Sequence, residues 1–291
     1  MIYTLSNSFL SVDVSSHGGE LRSVRTSDGR EYLWQGSPQT WPRRAPSLFP
    51  FIGRLTDGYY TFKGNKYELK CHGFLRDNEL MCEEQSPEKL VLFMEDNDET
   101  KKCFPFSFRC SIIFTLNDNK LTVSYKIDNH GNDPMYFGIG GHPGFNVPID
   151  ADLTFEDYHV AFESGVSPKQ ILMSEDYFMT KNEKALELND KNQLELQHPL
   201  FDFDALVLHD AGSTVTISSD KSEHSVTMDF SDFDYIGLWH TPHSEAPFLC
   251  LEPWSSLPTY SGEHTDFETQ DNLISVEGQK SCTKSFILEI K

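Results

Sequence analysis

Several features of common protein classes are missing from this sequence of 291 residues. Nowhere do ~18 apolar residues run together, and the stretch from Met1 to Ser16 has neither a basic segment nor a continuous apolar one, so neither a membrane-spanning helix nor a secretory signal is indicated. The phosphate-loop and nucleophile-elbow motifs, G-x-x-x-x-G-K-[ST] and G-x-S-x-G, are also absent. These absences favour a soluble cytoplasmic protein and leave serine-hydrolase chemistry without support.

Basic residues are scarce. Lysine and arginine number 24 against 45 acidic residues, and the formal net charge is -21. Such a charge argues against nucleic acid or an anionic membrane as a partner. The six cysteines form no C-x-x-C pair and there is no N-x-[ST] glycosylation acceptor, so we expect reduced, mostly buried thiols.

Alternation of apolar and polar residues dominates the chain. Apolar residues occupy every second position from Phe106 to Leu116 and again from Leu121 to Ile127, with the turn-forming NDNK sequence between them. This pattern predicts a long antiparallel hairpin with one face on a core. No segment of helical period exceeds two turns, and no linker or repeat divides the chain. We therefore expect a single all-β domain over residues 1–291, with loops and short strands over the polar region 164–200.

The stretch APFLCLEPW, from Ala246 to Trp254, combines a buried strand with a carboxylate. Phe248 to Leu251 run without a charge between Pro247 and Pro253, which should bound the strand. Glu252 follows directly and precedes Trp254. A carboxylate against an indole is costly unless it is paired, so Glu252 either emerges into solvent at the strand end or has a raised pKa and a purpose.

A second unusual stretch, GIGGHPGFNVP from Gly138 to Pro148, places His142 among four glycines and two prolines. Glycines at this density allow backbone or ligand to approach a histidine closely, and the composition is not that of a strand interior. A specialised histidine loop is typical of a functional site, although a tight structural turn gives the same composition.

Two shorter stretches contain candidate binding residues. In LFPFIGR, Arg54 follows a flexible glycine at the end of an apolar run, where it can bind a carboxylate, a phosphate or sugar hydroxyls, or pair with one of the many acids. In CHGFLRD, His72 lies in a loop next to Gly73, and Arg76 and Asp77 are expected to pair with each other.

Further along the chain, Asp204 in FDFDALVL directly precedes an apolar strand and is a better candidate for an inward carboxylate than Asp202. Trp239 in YIGLWHTPH lies at a strand end, where it either packs in the core or offers the apolar face that a pyranose ring stacks on. His240 and His243 have H-x-x-H spacing, but the intervening Pro242 prevents a helical face, so no metal site is predicted.

Taken together, these motifs resemble those of the aldose 1-epimerase (galactose mutarotase-like) family, most closely its bacterial LacX-like branch. The resemblance covers nearly the whole chain, through GGE at Gly18, LFPFIGR, HGF at His72, GGHPGFN, DALVL and PFLCLEPW. Each motif is short, but their order in a chain of this length and pattern is specific. The resemblance implies a large antiparallel β-sandwich of the supersandwich type.

The resemblance also implies an activity. The family interconverts the α and β anomers of free hexoses without a cofactor, so an aldohexose is the implied partner, and a monomer or homodimer is expected. Glu252 corresponds to the general base and His142 to the general acid that protonates the ring oxygen. Arg54, His72 and Asp204 correspond to substrate-binding positions; Trp239 and Arg76 are added as candidates.

Departures from the family pattern leave the sugar and the exact activity open. Galactose mutarotases typically have N-H-x-Y-F-N-L at the histidine loop, whereas this chain has GGHPGFN, so the sugar is not fixed. A related branch acts on hexose 6-phosphates with a basic cluster, which the arginines at positions 43, 44, 54 and 76 can provide. The sequence is also compatible with a non-catalytic carbohydrate-binding protein and with a glycoside hydrolase that uses Glu252 with Asp204.

Overall fold

The computed structural model describes residues Met1–Lys291 and consists mainly of β-strands. The first twelve strands are β1 Ile2–Ser6, β2 Leu10–Ser15, β3 Leu21–Thr26, β4 Ser47–Leu48, β5 Tyr59–Phe62, β6 Asn65–Glu68, β7 Met81–Gln85, β8 Lys89–Glu95, β9 Phe108–Asn117, β10 Lys120–Asn129, β11 Met135–Phe137 and β12 Gly140–Gly141. They are followed by β13 Gly144–Asn146, β14 His159–Phe162, β15 Lys169–Met173, β16 Met179–Ala185, β17 Gln193–Glu195, β18 Leu206–His209, β19 Thr214–Ser218, β20 Val226–Asp229, β21 Tyr235–Trp239, β22 Phe248–Trp254, β23 Thr265–Asp266, β24 Ile274–Val276 and β25 Ser281–Ile290.

Helices are short. The α-helix α1, Asp98–Cys103, begins at Asn97, whose side chain accepts hydrogen bonds from the backbone amides of Glu99 and Thr100. Single 3-10 turns occur at Thr56–Gly58, Leu75–Asp77, Phe155–Asp157 and His198–Phe201. None of these helices is long and apolar enough to cross a membrane.

Two large sheets form the body of an all-β sandwich, as predicted. One has nine strands in the order β17-β14-β19-β20-β25-β10-β9-β8-β7. The other has eight, in the order β16-β15-β18-β21-β22-β12-β4, with β13 also pairing to β22. A core cluster of 62 buried residues extends from Leu5 to Ile290. The region 164–200 contains three strands joined by loops, in agreement with its weak periodicity.

The predicted hairpin is confirmed. Strands β9 and β10 pair antiparallel with Leu121 opposite Leu116 and Ile127 opposite Cys110. The alternating apolar residues of both strands are buried, including Phe114 and Val123. The hairpin therefore contributes one inner face of the nine-stranded sheet, because a period of two directs every second side chain to the core.

Strand β22 has two buried faces with different neighbours. Leu249 and Leu251 belong to the main core. Phe248 and Cys250 belong instead to a small cluster with Trp34, Trp41 and Trp239. Since side chains alternate along a strand, Glu252 shares the face of Phe248 and Cys250, which is turned away from the main core. The fold thus places this carboxylate on the outer face of the eight-stranded sheet, beneath covering loops.

The prediction that Pro253 bounds this strand is wrong. The strand continues to Trp254, with Pro253 opposite Ile236 of β21. On its other side, β22 pairs with β13 at Phe248–Cys250 and with β12 only at Trp254. The ladder is therefore interrupted beside Glu252 and Pro253, where a residue without an amide hydrogen is tolerated.

Candidate active site

One cavity of about 230 Å³ brings together all the residues that the sequence proposed for the site. They are Arg54, His72, Arg76, His142, Asp204, Trp239 and Glu252. They come from β21, β22 and the loops that cover this face of the eight-stranded sheet. Residues up to 198 positions apart in sequence therefore meet at one place, Arg54 and Glu252 among them.

Glu252 and His142 are in contact within this cavity. Glu252 Oε2 lies 3.2 Å from His142 Nε2, and the two side chains are 2% and 9% exposed. The contact lacks hydrogen-bond geometry, and both Glu252 Oε2 and His142 Nδ1 are buried without a hydrogen-bond partner. Buried polar atoms are normally satisfied, so an unsatisfied pair at a cavity is typical of a site prepared for a ligand.

The local sequence explains how His142 reaches this position. It lies between β12 and β13, where the chain leaves β22 and is held instead by the hydrogen bond from His142 N to Pro46 O, at 3.0 Å. The prediction that this stretch is not strand interior is correct for His142 itself, although short strands flank it on both sides. Opposite Glu252 on β21 is Gly237, where a Cβ would lie 3.2 Å from Glu252 Cβ. A glycine there leaves room for the carboxylate.

Burial shifts both members of the pair towards their neutral forms. Burial, followed by the nearby negative charge of Asp204, raises the pKa of Glu252 well above its ordinary value. Burial also lowers the pKa of His142 to about 3, and the positive charges of Arg76 and Arg43 act in the same direction. Burial therefore favours the protonated carboxyl of Glu252 and the neutral imidazole of His142.

His72 is fixed in one tautomer by the loop that precedes it. The backbone amide of Gly53 donates to His72 Nδ1 at 3.1 Å, and His72 N donates to Gly53 O at 2.9 Å. Because Nδ1 accepts, the ring proton is on Nε2. His72 has a φ of 63°, an uncommon left-handed conformation. Burial, then the charge of His142, lowers its pKa well below the ordinary value, so it is a neutral donor.

Asp204 is held by one hydrogen bond and one ion pair. Trp239 Nε1 donates to Asp204 Oδ1 at 2.7 Å, and Arg54 Nη1 lies 3.6 Å from Asp204 Oδ2. Burial raises the pKa of Asp204, and both partners oppose the rise. Asp204 also has a positive φ, 75°. Strained residues of this kind concentrate at functional sites. Asp202, by comparison, accepts a hydrogen bond from His243 N outside the cavity.

The predicted pairing of Arg76 with Asp77 is wrong. Asp77 Oδ1 lies 2.6 Å from Arg43 Nη2. Neighbouring residues in a helical turn point in different directions, so Arg76 and Asp77 do not face each other. Arg76 instead donates to Cys71 O at 2.8 Å and makes no ion pair, while its Nε is buried without a partner. Burial, then the charge of Arg43, lowers its pKa.

Several residues that line the cavity were not predicted from the sequence. The other lining residues are Trp41, Gly53, Cys71, Met173, Tyr177, Ala205, Trp254 and Pro258. Trp41 precedes the LFPFIGR stretch, and nothing in its local sequence distinguishes it from a core tryptophan. Tyr177 stacks on the Arg54 guanidinium at 5.1 Å, from a polar loop without periodicity. His240 does not reach the cavity, since it is fully buried against His198.

Three side chains are close enough to consider a metal ion. Donor atoms of His142, Cys250 and Glu252 lie within 4.8 Å of one another. Burial raises the pKa values of both Cys250 and Glu252, which disfavours their deprotonated forms. Metal ligands must be deprotonated, so this group is a poor metal site, and we assign none. All six cysteines are free, but only Cys110 and Cys250 are buried, so the expectation of mostly buried thiols is wrong.

Comparison with known proteins identifies the family of this chain. The family model for aldose 1-epimerase matches residues 1–270. Protein LacX, in its plasmid form from Lactococcus lactis subsp. lactis, is 31% identical over 300 residues, covering 100% of this chain and 99% of that protein. The chain belongs to the aldose 1-epimerase family, and within it to the LacX-like branch. It is therefore an isomerase of the epimerase class.

Solved structures agree. The galactose mutarotase related enzyme from Lactobacillus acidophilus has a TM-score of 0.95 and 30% identity, covering 100% of this chain and 97% of that one. The galactose mutarotase-like protein from Lactobacillus casei has the same TM-score and identity and covers both chains completely. A putative aldose 1-epimerase from Escherichia coli, at 21% identity and a TM-score of 0.79, shares the fold.

Proposed function

We propose that this protein is a cofactor-free mutarotase, which interconverts the α and β anomers of a free aldohexose by acid–base ring opening. The observation that carries the proposal is the buried contact of 3.2 Å between Glu252 and His142 at a cavity. The anomeric hydroxyl and the ring oxygen of a pyranose are bonded to the same carbon. Two proton-transferring groups this close together can therefore serve both oxygens at once.

In this proposal a protonated Glu252 faces a neutral His142. Alignment of their contact when substrate binds lets the proton pass from Glu252 to His142, which gives a carboxylate and an imidazolium without changing the total number of protons. The carboxylate then takes the proton of the anomeric hydroxyl, C1 becomes a carbonyl as its bond to the ring oxygen breaks, and the imidazolium protonates that oxygen. Rotation about the bond between C1 and C2, followed by the reverse transfers, gives the other anomer.

The remaining cavity residues have binding roles in this proposal. His72 presents Nε2–H as a neutral donor, and Asp204 with Arg54 offers both acceptors and donors to sugar hydroxyls. Trp239 offers an aromatic surface for the apolar face of the ring. Because Trp239 and Arg54 engage both oxygens of Asp204, this residue is poorly placed as the second carboxylate of a glycoside hydrolase. A pure binding protein has no need of a matched acid and base.

A specific observation favours a second candidate, mutarotation of a hexose 6-phosphate. Six arginines pair with carboxylates, namely Arg22, Arg25, Arg30, Arg43, Arg54 and Arg109. Arg44 and Arg76 form no such pair, although the chain has 45 acidic residues, and of these two only Arg76 lines the cavity. A guanidinium without a counter-ion in a half-buried position suits an anionic substituent on the sugar.

Polarimetry of freshly dissolved α-glucose, α-galactose and α-glucose 6-phosphate tests both candidates. We expect catalysed relaxation for at least one sugar, reduced about 10²–10⁴-fold by Glu252→Gln. The matched control is Glu31→Gln, a carboxylate outside the cavity whose pKa burial also raises. Acceleration of the phosphate alone would select the second candidate. Saturable sugar binding by calorimetry with no acceleration of any sugar would overturn both and leave a binding protein.

A further inference from the structure

Trp41 covers the ring of His142. Their ring centroids are 4.8 Å apart with planes inclined by 24°. The other neighbours, Trp239 and His72, meet the imidazole edge-on, at 5.4 Å and 5.7 Å. Trp41 is therefore the only residue that stacks face to face on this histidine.

Trp41 is itself firmly held. Its carbonyl oxygen accepts hydrogen bonds from Trp34 Nε1 at 3.0 Å and from Ser37 N at 2.8 Å. Its indole also stacks on Phe248 at 5.5 Å with an inclination of 24°. A Cβ at Gly144, two residues after His142, would lie 3.0 Å from the six-membered ring of Trp41. The tryptophan and the histidine loop therefore fit closely, and the position of one constrains the other.

We propose that Trp41 is a positioning residue that acts through His142, fixing the plane of the imidazole during ring opening. This inference rests on the proposed mutarotase mechanism. A fixed ring plane keeps Nε2 directed at Glu252, and loss of alignment at a reacting group reduces rate more than affinity.

The electrostatic surroundings of His142 determine the expected pH effect. Glu252 faces it at 3.2 Å, the Cys250 thiol and the His72 ring lie nearby, and Arg76 and Arg43 contribute positive charge. Burial is the largest cause of its low pKa, and Trp41 supplies much of the cover on one face. Opening this face to water should therefore move the acid limb of kcat/KM towards neutral pH.

Steady-state kinetics of Trp41→Leu and Trp41→Phe test the proposal. For Trp41→Leu we expect kcat to fall about 10-fold or more, KM to change less than about 3-fold, and the acid limb to move to higher pH. Trp41→Phe keeps an aromatic face and should restore most of kcat. The control is Tyr59→Leu, which removes the aromatic ring whose centroid lies 4.9 Å from that of His264, outside the cavity that holds His142. A rise in KM at unchanged kcat would make Trp41 a sugar platform instead.

A measurement without substrate separates this inference from the proposed function. Ring protons of His142, assigned by their loss in His142→Gln, should show an upfield ring-current shift in the NMR spectrum that disappears in Trp41→Leu. The titration midpoint should rise in the same variant. If Trp41→Leu changes both the shift and the midpoint but the wild-type protein accelerates the relaxation of no sugar, the proposed function is wrong and the stacking is not. If neither the shift nor the midpoint changes in Trp41→Leu, or if Tyr59→Leu changes them equally, the positioning role is wrong.

Discussion

His142 and His240 are both buried histidines in aromatic surroundings, and burial lowers both pKa values, to about 3 and about 4. Their hydrogen bonding differs. His240 Nδ1 donates to Thr241 O at 2.8 Å, and His240 Nε2 accepts from His198 Nδ1 at 3.1 Å. Both of its ring nitrogens are therefore satisfied, and it does not line the cavity. His142 has an unpartnered Nδ1 and a carboxyl at 3.2 Å, at the wall of that cavity.

This difference separates two meanings of a low histidine pKa. A buried imidazole titrates at low pH wherever water is excluded, whether or not it does any chemistry. His142 differs in three respects: it lies at a cavity, a second titratable group is in contact with it, and polar atoms of this pair have no partners. A perturbed pKa indicates a functional site only where such features accompany it.

The largest expected difference between the two histidines is in their effect on activity. His142→Gln removes the group that transfers a proton, so mutarotation should fall about 10²–10⁴-fold. His240→Gln should leave kcat within a few-fold of wild type. Polarimetry of the two purified variants at neutral pH, on the sugar that the wild-type protein relaxes, measures both.

Stability should respond in the opposite order. His240→Gln disturbs a fully satisfied buried network, and we expect it to lower the free energy of unfolding by about 1–3 kcal/mol. His142→Gln removes an unsatisfied ring and should cost less, as urea titration would show. Equal losses of activity in the two variants would contradict the separation between the two histidines and extend the site to His240.

A smaller effect concerns the stability cost of Glu252. Its pKa is raised in the folded protein, so the folded state keeps a proton that the unfolded state releases above its ordinary pKa of 4.5. The folded protein therefore loses stability as pH rises from that value towards the raised pKa. Glu252→Gln does not titrate, so at pH 7 it should unfold at a higher urea concentration than the wild-type protein.

The pH dependence supplies the control for that prediction. Near pH 4 the glutamate is largely protonated in both states, and the advantage of Glu252→Gln should vanish. In the wild-type protein the Glu31 side chain accepts hydrogen bonds from Val24 N, Leu33 N and the hydroxyl of Ser23. Glu31→Gln should therefore gain no comparable stability. An advantage of Glu252→Gln that persists unchanged at pH 4 would mean that improved packing, and not the proton, is responsible.

Local pattern was sufficient for much of this molecule. Alternation predicted the β9–β10 hairpin, and the charge in an apolar run singled out Glu252. The sequence could not show that Trp41 stacks on His142, because that contact depends on how a loop folds over a distant sheet. Nor could it show that Asp77 pairs with Arg43 and leaves Arg76 free, since ion pairing in so acidic a chain is decided by tertiary geometry.

The smallest expected effect is on stability and concerns His243, the second histidine of the H-x-x-H stretch. His243, three residues after His240, has a side chain that is 70% exposed and 3.3 Å from Asp202. Exposed pairs of this kind contribute little, so His243→Asn should change the free energy of unfolding by less than about 0.5 kcal/mol. Asparagine is the suitable replacement because His243 has a φ of 52°, which asparagine tolerates. Added zinc should leave the melting temperature of both proteins unchanged, because His240 has no free nitrogen to offer. A zinc-dependent rise in melting temperature that His243→Asn abolishes would show that the two histidines do form a metal site. It would also show that the nitrogens of His240 are less firmly engaged than their hydrogen bonds indicate.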